Sequence, residues 1–176
     1  AAGGSVGSIT ISDAELPLLS SEKVLIGWDA DSPGGKLTIR NCRVESTDIP
    51  TTHTDGIRVG SNSEIVIENG EIRLPHLRGI RVGGNGSIAI RDSDLHTYGI
   101  FMDETVQSPN DAKTLKKLEI TDSIVLTGDI IGARGEYSSV EEIVIRGSSI
   151  RLNDEYTYNR CTIGGGEKAS FGSIDI

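Results

Sequence analysis

Apolar and polar residues alternate along this chain in short runs, and the runs recur. Ser8-Ile9-Thr10-Ile11 returns as Lys36-Leu37-Thr38-Ile39, Glu64-Ile65-Val66-Ile67 and Ser87-Ile88-Ala89-Ile90. The series continues as Lys117-Leu118-Glu119-Ile120, Glu142-Ile143-Val144-Ile145 and Ser173-Ile174-Asp175-Ile176. A period of two is that of a strand with one buried face. The first apolar members stand at 9, 37, 65, 88, 118, 143 and 174, giving intervals of 28, 28, 23, 30, 25 and 31. Repeats of that size belong to solenoids, propellers or arrays. No useful length of the chain carries a 3.6-residue period, which argues against helical or leucine-rich repeats.

Each run ends in a residue suited to a sharp corner: Asp13, Asn41, Asn69, Asp92, Asp122 and Gly147. Asn, Asp and Gly tolerate left-handed backbone angles. One apolar residue per repeat follows the corner: Leu16, Val44, Ile72, Leu95, Val125 and Ile150. A third run reads Val24-Leu25-Ile26-Gly27, Ile57-Arg58-Val59-Gly60 and Ile80-Arg81-Val82-Gly83, with looser copies at Ile100-Phe101-Met102 and Cys161-Thr162-Ile163-Gly164. Three short strands per repeat predict an all-β fold, a single-stranded right-handed parallel β-helix (solenoid) of about seven coils and three sheets. Right-handed winding is the default for parallel crossovers. Residues 1–176 form one such domain.

Stacked coils bring equivalent residues to about 4.8 Å, the inter-strand spacing, so columns can be read from the sequence. Just past the corner the inward column is small throughout: Ala14, Cys42, Gly70, Ser93, Ser123 and Ser148. Charges alternate along Glu15, Arg43 and Glu71 and along Arg40, Glu68 and Arg91, as stabilising cross-strand pairs. Cys42 and Cys161 fall coils apart, beyond disulfide reach, and are expected to be free buried thiols. The chain opens and stops inside a coil without a capping helix, as expected of a segment of a longer protein with flanking domains.

Composition narrows the class. The chain of 176 residues is 36% hydrophobic and only 4% aromatic, so its core must be Ile, Leu and Val. A net charge of −9 argues against general nucleic-acid binding, which needs excess Lys and Arg. No apolar run approaches the roughly 20 residues of a membrane span, and the first residues lack the layout of a signal peptide.

Leu37-Thr38-Ile39-Arg40-Asn41-Cys42-Arg43-Val44 and Asp55-Gly56-Ile57-Arg58-Val59 resemble the pectin-lyase-like superfamily of parallel β-helices. Thr162-Ile163-Gly164-Gly165-Gly166 followed by Gly172-Ser173-Ile174 is similar to repeats of bacterial surface proteins described as carbohydrate-binding β-helices. The resemblance implies a secreted or cell-surface protein that handles polysaccharide. Its polygalacturonase-type hydrolases carry Asn-Thr-Asp, Asp-Asp, Gly-His-Gly and Arg-Ile-Lys. Here His53-Thr54-Asp55 stands where the first would be and the others are absent. A hydrolase of that kind needs two carboxyl groups, so the resemblance does not extend to that activity.

All three histidines occur in similar settings, His53-Thr54-Asp55-Gly56-Ile57, His76-Leu77-Arg78-Gly79-Ile80 and His96-Thr97-Tyr98-Gly99-Ile100. Aligned on the third strand they form a ladder, accompanied by the columns Asp55, Arg78, Tyr98 and Arg58, Arg81, Phe101, the last turned outward. Three readings stay open. The ladder is structural, with Asp55 bridging Arg78. Or it is a glycan site, in which Arg58, Arg78 and Arg81 clamp carboxylates or sulfates and Tyr98 and Phe101 offer ring faces beside His53, His76 and His96. Or the imidazoles hold a metal. For catalysis the residue types fit β-elimination of a uronate, with Arg58 or Arg81 neutralising the carboxylate and His53 or Tyr98 taking the proton. No cofactor is required; calcium is a candidate, at Asp29 and Asp31 in the turn Trp28-Asp29-Ala30-Asp31-Ser32, where Trp28 is either a sugar platform or packed on the turn. Long departures from the repeat at 47–53, 103–114 and 153–159 are expected to build a groove on one face.

The expected function is therefore a polysaccharide-binding β-helix module, extracellular or at the cell surface, with acidic glycans as partners. The alternatives are a lyase acting on acidic glycans and a stalk or adhesin segment without a chemical site.

Overall fold

Each coil closes because its corner residue adopts the backbone that the sequence anticipates. Asp13, Asn41, Asn69, Asp92 and Asp122 have φ of 54°, 51°, 49°, 49° and 49°, and Gly147 has 59°. The computed structural model describes residues 6–18, 24–28, 32–46, 54–103, 113–134, 137–153, 163–165 and 170–176. The first coil carries β1 (Ser8–Ser12), β2 (Glu15–Pro17) and β3 (Val24–Gly27). The second carries β4 (Lys36–Arg40), β5 (Arg43–Glu45) and β6 (Asp55–Val59). Then follow β7 (Glu64–Glu68), β8 (Glu71–Leu74) and β9 (Ile80–Val82), and β10 (Ser87–Arg91), β11 (Asp94–Thr97) and β12 (Ile100–Asp103). The last are β13 (Thr114–Thr121), β14 (Ile124–Thr127), β15 (Ile131–Arg134), β16 (Ser139–Arg146), β17 (Ser149–Leu152), β18 (Ile163–Gly165) and β19 (Ser170–Asp175).

Every pairing between these strands is parallel and joins a strand to its counterpart one coil away, so the molecule is a parallel β-helix. The first sheet has seven strands and the other two have six each. Among the described residues these make six complete coils, somewhat fewer than the roughly seven expected, with β19 as a seventh strand of the first sheet. The register of the first sheet runs through Ile9, Leu37, Ile65, Ile88, Leu118, Ile143 and Ile174, as the repeat foretold. The second sheet aligns Leu16, Val44, Ile72, Leu95, Val125 and Ile150.

The third sheet departs from the expected register. Ile26, not Val24, stands opposite Ile57, and Ile163 continues the column of Ile100 and Ile131. Both are slips of two residues, which keep the same side chains inward. The strand Ile131–Arg134 had no counterpart in the expected pattern.

Inward side chains from all three sheets form one aliphatic core, with Leu37, Ile39, Ile57, Ile65, Ile67, Ile72 and Ile80 fully buried. Burying each contributes about 1.5–3 kcal/mol. The small inward column is also a hydrogen-bond ladder. The backbone N–H of Gly70 donates to Ser93 Oγ at 3.0 Å, that of Ser93 to Ser123 Oγ at 3.1 Å, and that of Ser123 to Ser148 Oγ at 3.1 Å. Outside the corner, Asn69 Nδ2 donates to Asn41 Oδ1 and Asn41 Nδ2 to Asp13 Oδ1, both at 2.9 Å. Among the alternating charges, Arg40 pairs with Glu68 at 2.7 Å, Arg91 with Glu68 at 3.5 Å and Arg43 with Glu71 at 3.9 Å, while Arg43 lies nearer Glu45, at 3.1 Å. Cys42 is a buried free thiol donating to the carbonyl of Arg40; Cys161 lies outside the described residues.

Candidate functional site

The outward column of the third sheet reads Gly27, Arg58, Arg81, Phe101, Gly132 and Gly164. A side chain has no room at Gly132: its φ is 142° and a Cβ would stand 1.8 Å from the carbonyl oxygen of Gly164. The arginines and the phenylalanine do turn away from the aliphatic core, because Ile57, Val59, Ile80, Val82, Ile100 and Met102 fill it. They do not lie open, however. Phe101 is 0% exposed and Arg81 5%. The expectation of an exposed Arg81 and Phe101 is corrected by this second, outer layer of packing.

Asp55 holds that layer together. Its Oδ2 accepts from Arg58 at 2.9 Å and its Oδ1 accepts from Arg81. The expected bridge from Asp55 to Arg78 gives way to this pairing. Burial pushes the Arg81 guanidinium below its ordinary pKa; Asp55 opposes that shift, while Arg58 and Arg78 add to it by repulsion. Arg81 also lies 5.6 Å from the centre of the Phe101 ring, and Arg134 lies 5.7 Å from it.

Beside this layer, at the corner between the second and third sheets, is a cleft of about 200 Å³ lined by His76, Leu77, Arg78, Tyr98 and Arg134. It exists because the corners differ in length. Five residues (75–79) link β8 to β9, but only two (98–99) link β11 to β12. The longer corner makes a turn at Pro75-His76, with Leu77 N–H on the carbonyl of Leu74, and stands as one wall over the shorter corners of the coils that follow. Leu77 anchors that wall in the core, while His76 is exposed.

The same length difference dissolves the histidine ladder. Thr97 pairs with Leu74, so His96 sits within β11 opposite Arg73 and Leu126, not beside His76. His96 Nε2 lies 2.7 Å from Asn153 Nδ2, two coils on. His53 lies outside the described residues. Arg78 and Tyr98 do share a register, since Ile80 pairs with Ile100, and both face the cleft. Of the expected glycan-site residues the cleft therefore unites His76, Arg78 and Tyr98. It leaves Arg58 with Asp55 on the neighbouring face.

Two residues of the site were not anticipated. Arg134, at the end of β15, is exposed and lines the cleft, and Asp129 lies 3.6 Å from it with 18% of its side chain accessible. Burial raises the Asp129 pKa above the ordinary carboxylate value; Arg134, the backbone N–H of Ile130 and the Tyr98 hydroxyl, which donates to it, pull the other way. The available signal was Ile131-Gly132, which repeats the Ile-Gly of residues 26–27 and 163–164 and would have placed a third strand here.

Trp28 is 9% exposed and packed in the core cluster, which decides against a sugar platform. Asp29 and Asp31 lie outside the described residues, as do most of the three long excursions. Among the described residues no cluster of His, Cys, Asp and Glu could hold a metal ion. Among them, too, no helix is long and apolar enough to cross a membrane. Compared with known proteins, the chain matches no family model, no curated protein and no solved structure.

Proposed function

We propose that this chain is a polysaccharide-binding β-helix module of a secreted or cell-surface protein, and that it takes an acidic sugar residue in the cleft of His76, Arg78, Tyr98 and Arg134. The supporting observation is the convergence of two guanidiniums, a phenol and an imidazole on one cavity, in a chain whose net charge is −9. Guanidinium forks recognise carboxylate and sulfate groups, and an aromatic ring lends an apolar face to a sugar. The likeness of the strand repeats to pectin-lyase-like and surface-protein β-helices points to the same ligand class. A glycan array on wild type and on Arg78→Ala/Arg134→Ala, with and without calcium, tests this reading. Selective binding of uronate or sulfated glycans that falls at least about tenfold in the double variant supports it, since one charge-assisted contact contributes about 1.5–3 kcal/mol. A blank array under all conditions leaves a stalk or adhesin segment.

A lyase on acidic glycans is the second reading, favoured by Tyr98, whose hydroxyl hydrogen-bonds Asp129 and which lines the cleft together with Arg78 and Arg134. Tyr98, its hydroxyl proton passed to Asp129, would take the α-proton while Arg78 or Arg134 neutralised the uronate carboxylate; the β C–O bond would then break and its oxygen leave as an alcohol, protonated from solvent. Arg81 is too deeply buried for that part. Formation of unsaturated uronate from pectate or alginate, abolished in Tyr98→Phe, distinguishes the enzyme from the binding module.

A further inference from the structure

Asp129 is an odd residue to find in a site for anions. It lies 3.6 Å from Arg134 and accepts a hydrogen bond from Tyr98, two groups that an acidic sugar would also use. Asp129 does not itself line the cleft, yet its carboxylate holds two groups that do, Arg134 and Tyr98. We propose that Asp129 is a resident occupant of the anion position, and that an acidic sugar binds by taking its place on Arg134 and Tyr98 while Asp129 accepts a proton from solvent. This inference rests on the glycan reading of the cleft and goes beyond it, because it names the group that sets which ligands enter and at what pH.

The geometry makes the exchange specific. The cavity, about 200 Å³, is smaller than the usual 300–1,000 Å³ of a small-molecule pocket, which suits it to a ligand group no larger than a single sugar ring. A ligand carboxylate or sulfate on Arg134 would stand against the Asp129 carboxylate, and two like charges at one site cannot both remain ionised cheaply. Burial already tilts Asp129 toward its protonated form, and the ligand's charge adds to that tilt. Among the described residues, the charged and titratable groups that act on Asp129 are Arg134 on β15 and Tyr98 on the preceding coil; Arg78 and His76 line the same cleft as those two. Once protonated, Asp129 becomes a donor and can hydrogen-bond the sugar it admits. A neutral sugar has nothing to offer Arg134 in exchange and is excluded.

The test uses a sulfated oligosaccharide, which stays ionised across the range, and its unsulfated counterpart, with wild type and Asp129→Asn. Titration calorimetry in two buffers of different ionisation enthalpy counts the protons taken up. Wild type is expected to bind only the sulfated ligand, more tightly as pH falls from 7.5 to 5, with net proton uptake. Asp129→Asn is expected to bind about tenfold tighter at pH 7.5, within the usual range of site coupling, and with no uptake. Carbon spectra of the wild-type Asp129 carboxyl give a reading independent of how well the variant folds: saturation with the sulfated ligand should move it to the protonated position. Proton uptake at the His76 ring instead, or a variant that binds no tighter and still takes up a proton, would overturn the exchange while leaving the glycan site standing. If neither protein binds any uronate or sulfated glycan, the glycan reading itself fails and the exchange with it.

Discussion

The guanidinium of Arg81 lies 5.6 Å from the centre of the Phe101 ring, its neighbour one coil along in the third sheet. Both side chains point away from the aliphatic core, yet both are buried, and Arg134 also lies over the ring at 5.7 Å. The solenoid therefore carries a second packing layer outside its third sheet. Phe101→Ala should remove a fully buried ring and cost about 3–5 kcal/mol, read from chemical denaturation. A loss under about 1 kcal/mol, the range of a surface substitution, would mean that the ring is not packed as described.

Asp55 neutralises two arginines of unequal burial. Asp55→Asn strands the Arg81 guanidinium, whose side chain is 6% accessible, and should cost about 3–5 kcal/mol. Arg58, 22% accessible, is dispensable by comparison, because Asp55 keeps Arg81 when it is gone. Arg58→Ala should cost about 1 kcal/mol or less. Equal losses in the two variants would refute the division of labour.

The serine column makes a third prediction. Ser123 Oγ accepts from the Ser93 N–H at 3.1 Å and donates to the Thr121 carbonyl at 2.7 Å, inside the corner. Ser123→Ala leaves a buried N–H unpaired and should cost about 1–3 kcal/mol. Ser148→Ala, nearer the solvent, should cost less. At the corner itself Asn69, with φ of 49°, should tolerate Gly and lose about 1–2 kcal/mol as Ala.

Asp129 gives the stability a pH dependence of definite sign. Its folded pKa is raised by burial, so between the ordinary carboxyl value of 3.8 and its folded value the native state holds more protons than the unfolded chain. That contribution is fully present below 3.8 and fades as pH rises through the folded pKa. Denaturation midpoints of wild type minus Asp129→Asn should fall as pH is raised across this window. A difference that rises with pH would show that Arg134 and Tyr98 outweigh burial.

Much of the architecture was legible because a period of two and a left-handed corner are local properties. Ile65, Ile88 and Leu118 could be placed in one column from spacing alone, and so could Asn69 and Asp92 at the corner. The sequence was less informative where a connection changes length. Read backward from Ile80 and Ile100, His76 aligns with His96; read forward from Ile72 and Leu95, Leu74 aligns with Thr97. Each register holds within its own sheet, and the corner between them absorbs the extra residues, which carries His76 away from His96.

The candidate site was half legible for the same reason. His76, Arg78 and Tyr98 were named from their shared setting, whereas Arg134 and Asp129 sit in a coil whose third strand, Ile131–Arg134, has glycine where the preceding strand has Phe101. Alternation tells which way a side chain leaves the strand and says nothing of what covers it. By itself, then, the sequence determined the three-sided coil, its corners and its aliphatic filling, since each follows from the backbone preferences and polarity of adjacent residues. The tertiary structure alone decided the burial of Arg81 and Phe101, the separation of His76 from His96 and the meeting of Arg134 with Asp129, because these depend on how coils of unequal length stack.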